Sequence, residues 1–464
     1  MYSVAQIADW CGGRVVGEGG VVIADAAQVV IDSRRVRPGD LFVALIGPNH
    51  DAHAFLPQAF AAGAAAAIVS DAAPARHGGA PMVQVADTEA ALRDLARAWR
   101  ARFRLPVAAI TGSCGKTTTK EMARAILEPA LTPLVTAGNL NNQIGLPLTL
   151  LGLRAGHRAC VLEMGINRPG EIDLLCGVAA PTVGLVTGIG RAHLQGLGDA
   201  DGVAAEKGRL FHHVAAAGGT CVVNLDDPRV VDQAARHGAR RVVTYTTSPS
   251  ARADLRLTVE RATVDGARLT LNLGGDQSGF DFFSAAPYQV ANAAAAAALC
   301  HVLGADVAAI RRGLSSFRPP AMRGAEITLA SGARIIDDSY NANPESVLAA
   351  LTALAATPVT GRRIAVLGDM LELGAAAPAL HRQVGQRAAA LGLDRLICVG
   401  ALAAHMADGA RAAGLDPRHV VTPELALAGL ADLADGDRVL VKGSRGIAME
   451  RLVKALAEQG GVRA

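Results

Sequence analysis

The sequence predicts an α/β protein of three domains, two of them built on open parallel sheets and a smaller α/β domain ahead of them. Three observations carry this. From residue 107 onward, strand-length apolar runs alternate with helical stretches, the pattern of parallel strands buried on both faces. At 111–121 the segment TGSCGKTTTKE leads a strand through a glycine turn into a helix, and at 337–345 the segment DDSYNANPE follows an apolar strand in a second alternating series. A length of 464 residues also exceeds what one core holds.

Residues 1–105 form the first domain. Short strands are expected at 40–45, 66–69 and 82–85 and helices at 55–62 and 88–102, with the polar segment DSRRVRPGD at 32–40 between them. Arg-Leu-Pro at 104–106 opens the central domain, 106–318, a P-loop parallel-sheet unit with strands at 107–111, 158–163, 182–187, 220–224 and 240–245. Over 254–283 the alternation changes to period two, which predicts a small antiparallel annex, and a helix at 290–303 follows. The proline-rich FRPPAMR at 317–323 lacks periodicity and reads as a hinge. The third domain, 319–464, is a Rossmann-like open sheet with strands at 334–338, 363–367, 395–399 and 438–442 and helices near 346–356, 376–391, 402–413 and 447–458.

Composition excludes several functions. A net charge of +3, from 45 basic and 42 acidic residues spread evenly, leaves no basic face for nucleic acid, and 3% aromatic residues leave little for base stacking. Seven cysteines with no CxxC pair form neither a disulfide framework nor a zinc site, and suit a reducing compartment. The N-terminus lacks the basic region and apolar core of a signal peptide. The most apolar stretches, 61–69 and 290–300, are shorter than a bilayer span. The chain therefore reads as cytoplasmic, with no stable membrane insertion.

In the 111–121 segment, Gly112, Ser113, Cys114 and Gly115 form a turn whose backbone N–H groups converge on phosphate oxygens at a helix N-terminus. Lys116 supplies a compact cation for the terminal phosphates, Thr117 a hydroxyl for Mg²⁺, and Thr118 continues the helix. An ordinary P-loop has a glycine where Ile110 stands, so this is a shortened variant. Cys114 either fills a small position or has a redox role. Glu163 ends the strand ACVLEMG and His193 follows the next strand, so the two fall on successive strand ends where open sheets place ligands. Lys207, in AEKGRLF, reads from composition as a solvated helix lysine. The loop GNLNNQIGLP at 138–147, with Asn139 and Asn142, is either a turn-rich connector or a substrate-orienting loop.

In the third domain, Asp337 and Asp338 point to opposite faces, so one of them reaches a ligand, and Asp338 suits a ribose. Tyr340, Asn341 and Asn343 share that strand end. Arg323, in the hinge, is either a surface arginine or a cation brought onto the γ-phosphate by closure. Lys442, Ser444 and Arg445 follow another strand, where cations and amides suit a carboxylate or phosphate.

These segments together resemble the Mur ligases, the ATP-dependent amide-forming family of peptidoglycan precursor synthesis. The phosphate loop matches with its missing early glycine, and GNLNNQIGLP, VLEMG, NLDDP, DDSYNANPES, VLGDMLELG and VKGSR resemble the branch that adds D-alanyl-D-alanine (D-Ala-D-Ala) to UDP-N-acetylmuramoyl-tripeptide. The segment DSRRVRPGDLFVALIGPNHDAHAF resembles the family's UDP-sugar-binding region, which implies a UDP-binding first domain with Ser33 and Arg34 by the diphosphate. The resemblance implies ATP on Gly112 to Thr118, with Asn292 facing adenine, Arg323 the γ-phosphate and Asp338 the ribose. It implies two Mg²⁺ sites, one on Thr117 and Glu163 and a second on Glu163, His193 and a Lys207 carbamylated by CO₂. It further implies a monomer that phosphorylates the tripeptide carboxylate before the dipeptide amine attacks. Four positions depart from the family: Tyr288-Gln289 stands for a His-Asn pair, Arg209 for an acid and Ala52 for a glycine.

Rival readings are weaker. The DNPR or DDPN-type motif of the diaminopimelate- or lysine-adding relatives is absent from the last domain, and folylpolyglutamate synthetase lacks DSYNANP. The glycines at 12–13 and 17–20 have the wrong spacing for the Rossmann-like fingerprint that opens the alanine- and glutamate-adding relatives. A regulatory GTPase would carry an NKxD motif, and the chain has none.

Overall fold

The computed structural model describes residues 2–24, 27–70, 80–263 and 265–463. The chain divides into two compact units, one of Met1–Ile110, Glu128–Ile166 and Gly170–Val183, the other of Thr111–Leu127, Asn167–Pro169 and Gly184–Ala464.

The first unit holds a five-stranded sheet in the order Arg14–Val16, Met82–Val85, Ala66–Ser70, Leu41–Val43 and Val29–Val30. Only the first pairing is antiparallel. One face packs Phe42, Leu56, Ala67, Val69 and Met82 into a small core. Helix Thr88–Arg100 begins at Asp87, whose carboxylate accepts from the N–H groups of Glu89 and Ala90, and it buries Leu92, Leu95 and Trp99. The departure at Ala52 is harmless: it opens the turn Ala52–Phe55 without a positive φ, so glycine's freedom is not needed there. In the same unit, strand Ala159–Glu163 runs parallel between Val107–Thr111 and Pro133–Val135. The last of these is a three-residue strand that periodicity does not reveal.

In the second unit, strands Thr220–Asn224, Val242–Thr246 and Leu255–Thr263 are parallel neighbours, and the antiparallel strands Gly266–Leu273 and Asp276–Phe282 extend them. This is the expected annex. Helix Pro287–Val302 starts three residues before the expected position, because proline, lacking an N–H, suits a first helical turn.

The unit's six-stranded sheet runs Ala325–Thr328, Arg334–Asp338, Arg438–Lys442, Arg363–Gly368, Arg395–Val399 and Arg418–Val420, parallel except at its first pairing. Its central strands are apolar throughout because both faces are covered. Ala365, Leu367, Leu396, Cys398 and Leu440 pack into one core, and the alternating Ile364, Val366, Ile397, Val399, Val439 and Val441 into the opposite one. The four expected strands are the inner ones. The two edge strands are short and carry no apolar run.

Candidate active site

Strand Val107–Thr111 ends in a turn that only glycine fits. Gly112 has φ +144° and Gly115 φ +83°, and a Cβ on Gly115 would collide with the Asn292 side chain. The loop is pinned from within the second unit. Ser113 N donates to Gly188 O at 2.8 Å, and the Ser113 hydroxyl donates to Gly190 O at 3.1 Å while accepting from Gly190 N at 2.8 Å. Lys116 Nζ donates to Gly112 O at 2.6 Å, which folds the cation back over the turn.

Residues on the loops flanking the six-stranded sheet meet this loop. Asn343 Nδ2 donates to Ser113 O at 3.3 Å and its Oδ1 accepts from the Cys114 thiol at 3.3 Å. Burial pushes that thiol's pKa up, which makes Cys114 a packed donor and not a thiolate. Arg323 donates to Thr117 Oγ1 at 3.1 Å, and its guanidinium lies 3.7 Å from the centre of the Tyr340 ring. It is partly buried and engaged on two sides, so it is not a free surface arginine.

Composition alone reads Lys207 as a solvated helix lysine, and its burial overturns that reading. It lies in helix Ala200–Ala216 with no exposed surface, and its amine has no hydrogen-bond partner. Burial, reinforced by the Lys116 charge, holds its pKa well below the ordinary 10.5. A single sequence cannot distinguish this from a solvated lysine, because the face of the helix that is covered depends on which strands pack against it.

At the sheet's carboxyl edge, Asp338 lies opposite Lys442 in register, and Lys442 Nζ donates to Asp338 Oδ2 at 2.6 Å and to Asn341 O at 2.9 Å. Asp337 takes the other face, where it accepts from the Ser339 hydroxyl and from Met322 N. Burial raises its pKa. Ser444 Oγ accepts from Leu371 N at 2.9 Å, while Arg445 pairs with Glu450 at 2.8 Å. Asn343 also caps helix Pro344–Ala356 in a capping box with Ser346, a role that DDSYNANPE does not announce. Asn341 is exposed.

In the first unit, Glu163 Oε1 accepts from Asn141 Nδ2 at 2.8 Å, whereas Asn142 Oδ1 accepts the N–H groups of Ile144 and Gly145 and Asn139 is exposed. Thus the amide that meets Glu163 is the one not singled out from sequence. Ser33 is buried and donates to Gln58 Oε1 at 3.1 Å. Arg34 pairs with Asp32 at 2.8 Å, and its hydrogen bond holds the Asp32 carboxyl at about 2.

His193 pairs with Glu372 at 2.7 Å and Arg191 with Glu345 at 2.7 Å. Neither acid was singled out from sequence. Each lies far along the chain from its partner and carries no local pattern. Among the described residues no group of three or more His, Cys, Asp and Glu is arranged to hold a metal ion. Within the second unit the donor chemistry nonetheless suits Mg²⁺: Thr117 offers a hydroxyl, and burial drives the Lys207 amine toward the neutral form that can take up CO₂ and become an oxygen ligand.

Comparison with known proteins converges. The Mur ligase middle domain matches residues 110–300, the Mur ligase glutamate ligase domain 322–445, and the Mur ligase family catalytic domain 26–100. The chain is 38% identical over 463 residues to the UDP-N-acetylmuramoyl-tripeptide–D-alanyl-D-alanine ligase of Escherichia coli (strain K12), covering 99% of each. It is 34% identical over 433 residues to the ligase of the same name from Bacillus subtilis (strain 168), covering 93% of each. Its structure matches that of MurF from Acinetobacter baumannii with a TM-score of 0.88 at 31% identity, over 98% of this chain and 99% of that one. It matches the MurF ligase of Thermotoga maritima, solved in complex with ADP, with a TM-score of 0.81 at 27% identity, over 94% and 98%. With a full-length relative at this identity and the shortened phosphate loop built as described, the chain belongs to the Mur ligase family.

Proposed function

We propose that this chain is an ATP-dependent ligase that joins D-Ala-D-Ala to the terminal carboxylate of UDP-N-acetylmuramoyl-tripeptide, giving the UDP-N-acetylmuramoyl-pentapeptide used in peptidoglycan synthesis. The observation that carries this reading is the glycine loop at 112–115 and Thr117 met by Asn343, the cap of helix Pro344–Ala356, and by Arg323, just ahead of strand Ala325–Thr328, in a chain 38% identical end to end to a ligase named for this reaction.

The carboxylate takes the γ-phosphoryl group of ATP, giving an acyl phosphate and ADP. The dipeptide amine then attacks the acyl carbon, and the tetrahedral intermediate expels phosphate and loses a proton. No enzyme nucleophile is needed. Lys116 and Arg323 neutralise charge that develops on the transferring phosphoryl oxygens, and the glycine turn fixes their direction. Asn292, beside Gly115, is assigned to adenine, with Tyr288-Gln289 preceding it, and Asp338 to the ribose. Ser33 and Arg34 are assigned to the uridine diphosphate. Asn139, Asn142, Tyr340, Asn341, Asn343, Lys442, Ser444 and Arg445 are assigned to substrate.

Two Mg²⁺ ions would be held by Thr117 and Glu163 and by Glu163, His193 and Lys207, and would supply charge neutralisation at the phosphates. Lys207 is assigned as a carbamate: its neutral amine adds to CO₂, forming an N–C bond and releasing one proton. Its burial without a hydrogen-bond partner supports this. We retain the boundaries 1–105, 106–318 and 319–464, because each of the three family matches falls inside one of them. We assign the chain, as part of this proposal, to the cytoplasm as a monomer serving cell-wall biogenesis, and through it cell shape and division. Among the described residues no helix is long and apolar enough to cross a membrane.

Mass spectrometry of products from UDP-N-acetylmuramoyl-tripeptide, ATP and a panel of dipeptides tests the function. A mass gain for D-Ala-D-Ala, with phosphate release that depends on the dipeptide, is expected. ATP hydrolysis indifferent to any acceptor would overturn it.

A further inference from the structure

We propose that Glu372 is a positioning residue for His193: a carboxylate on the loop after strand Arg363–Gly368 that fixes which imidazole nitrogen His193 offers to a divalent cation. This rests on the proposed role of His193 as a metal ligand.

The contact is short, with Nδ1 of His193 2.7 Å from Glu372 Oε2. An ionised carboxylate only accepts, so Nδ1 carries the proton, and in the neutral ring Nε2 then keeps its lone pair, the form a metal ligand requires. Both partners are held in an unusual conformation. His193 has φ +58° and Glu372 φ +62°, values that side chains bearing a Cβ disfavour. Such residues persist where the surroundings over-determine them, and here two are bonded to each other.

The surroundings supply that restraint on both sides. The Glu372 loop is anchored in its own sheet, with Met370 N donating to the buried His381 Nε2 at 3.0 Å and Leu371 N to Ser444 Oγ at 2.9 Å. The His193 segment is tied to that loop by its backbone, Gln195 N donating to Glu372 O at 3.3 Å, and by Leu194, which packs against the core containing Met370 and Leu373. Two residues before His193, Arg191 is held by Glu345. An ordinary surface ion pair would need none of this. The motif VLGDMLELG thus gains a task that phosphate binding and sheet packing leave unassigned: it carries the acceptor that sets the tautomer of His193.

The test uses full-length protein labelled with ¹⁵N-histidine, with His193 assigned by its loss in His193→Gln. In the metal-free wild type the His193 ring is expected as the Nδ1–H tautomer. Glu372→Gln keeps an accepting oxygen and is expected to keep the tautomer, whereas Glu372→Ala loses it. Mn²⁺ titration followed by electron paramagnetic resonance is expected to show weaker binding at one site by about 10–100-fold in Glu372→Ala and near-wild-type binding in Glu372→Gln. An unchanged tautomer and unchanged Mn²⁺ affinity in Glu372→Ala would overturn the proposal. If His193→Gln leaves Mn²⁺ binding intact while Glu372→Ala still shifts the tautomer, the metal role of His193 fails and takes the proposal with it, although the contact itself is real.

Discussion

Two lysines are buried in this molecule in opposite ways. Lys442, at the carboxyl end of its strand, is 4% exposed and meets Asp338, 15% exposed, across 2.6 Å. Lys207 has no exposed surface, no hydrogen-bond partner and a depressed pKa. The first lysine is a charge kept in place by a charge. The second is an amine whose surroundings disfavour its proton. The contrast teaches that burial alone says little about a lysine, whereas burial together with partner geometry separates an ion-paired ammonium from an amine without a hydrogen-bond partner.

The comparison can be broken in four places. The largest effect is expected at the third lysine of the region: Lys116→Ala should lower ligation by at least about 10³-fold, read as dipeptide-dependent phosphate release, because it removes one of the two cations assigned to the transferring phosphoryl group. Near-normal turnover would show that neither buried lysine lies beside a phosphate site.

Lys207→Met should lower kcat by about 10²–10³-fold while stabilising the protein. The sign follows from linkage. A folded-state pKa held well below 10.5 means that between the folded and unfolded values unfolding takes up a proton, so the wild type gains stability as pH rises toward 10.5. The melting-temperature advantage of the methionine variant should therefore be largest near pH 7 and shrink toward pH 10. An advantage that grows with pH would refute the neutral amine.

Lys442→Met should do the reverse. It leaves a mostly buried carboxylate unpaired, at a cost of about 3 kcal/mol, and adding Asp338→Asn should recover part of that in denaturant midpoints. A double variant no better than the single one would dissolve the pair.

The smallest effect concerns the loop both flank. Gly115→Ala combines a positive φ with a collision against Asn292, and should weaken ATP binding by about tenfold, measured by calorimetry, with the fold intact.

What could be read beforehand follows a physical division. Periodicity located every inner strand of the six-stranded sheet, because a strand covered on both faces must be apolar along its length, as 364–367 and 439–441 are. It missed the edge strands Ala325–Thr328 and Arg418–Val420, where covering is partial and the pattern fades. The glycine turn at 112–115 was legible because the required backbone angles admit few other residues.

By itself, then, the sequence determined the α/β layering, the glycine turn at 112–115 and the strand ends at Asp338 and Lys442, all properties carried by neighbours along the chain. Tertiary structure alone decided that Lys207 is dry, that Asn343 caps a helix while touching Ser113, and that Glu372 meets His193. These facts depend on residues far apart in the chain being brought within hydrogen-bond distance, and no local pattern encodes which distant side chain will arrive.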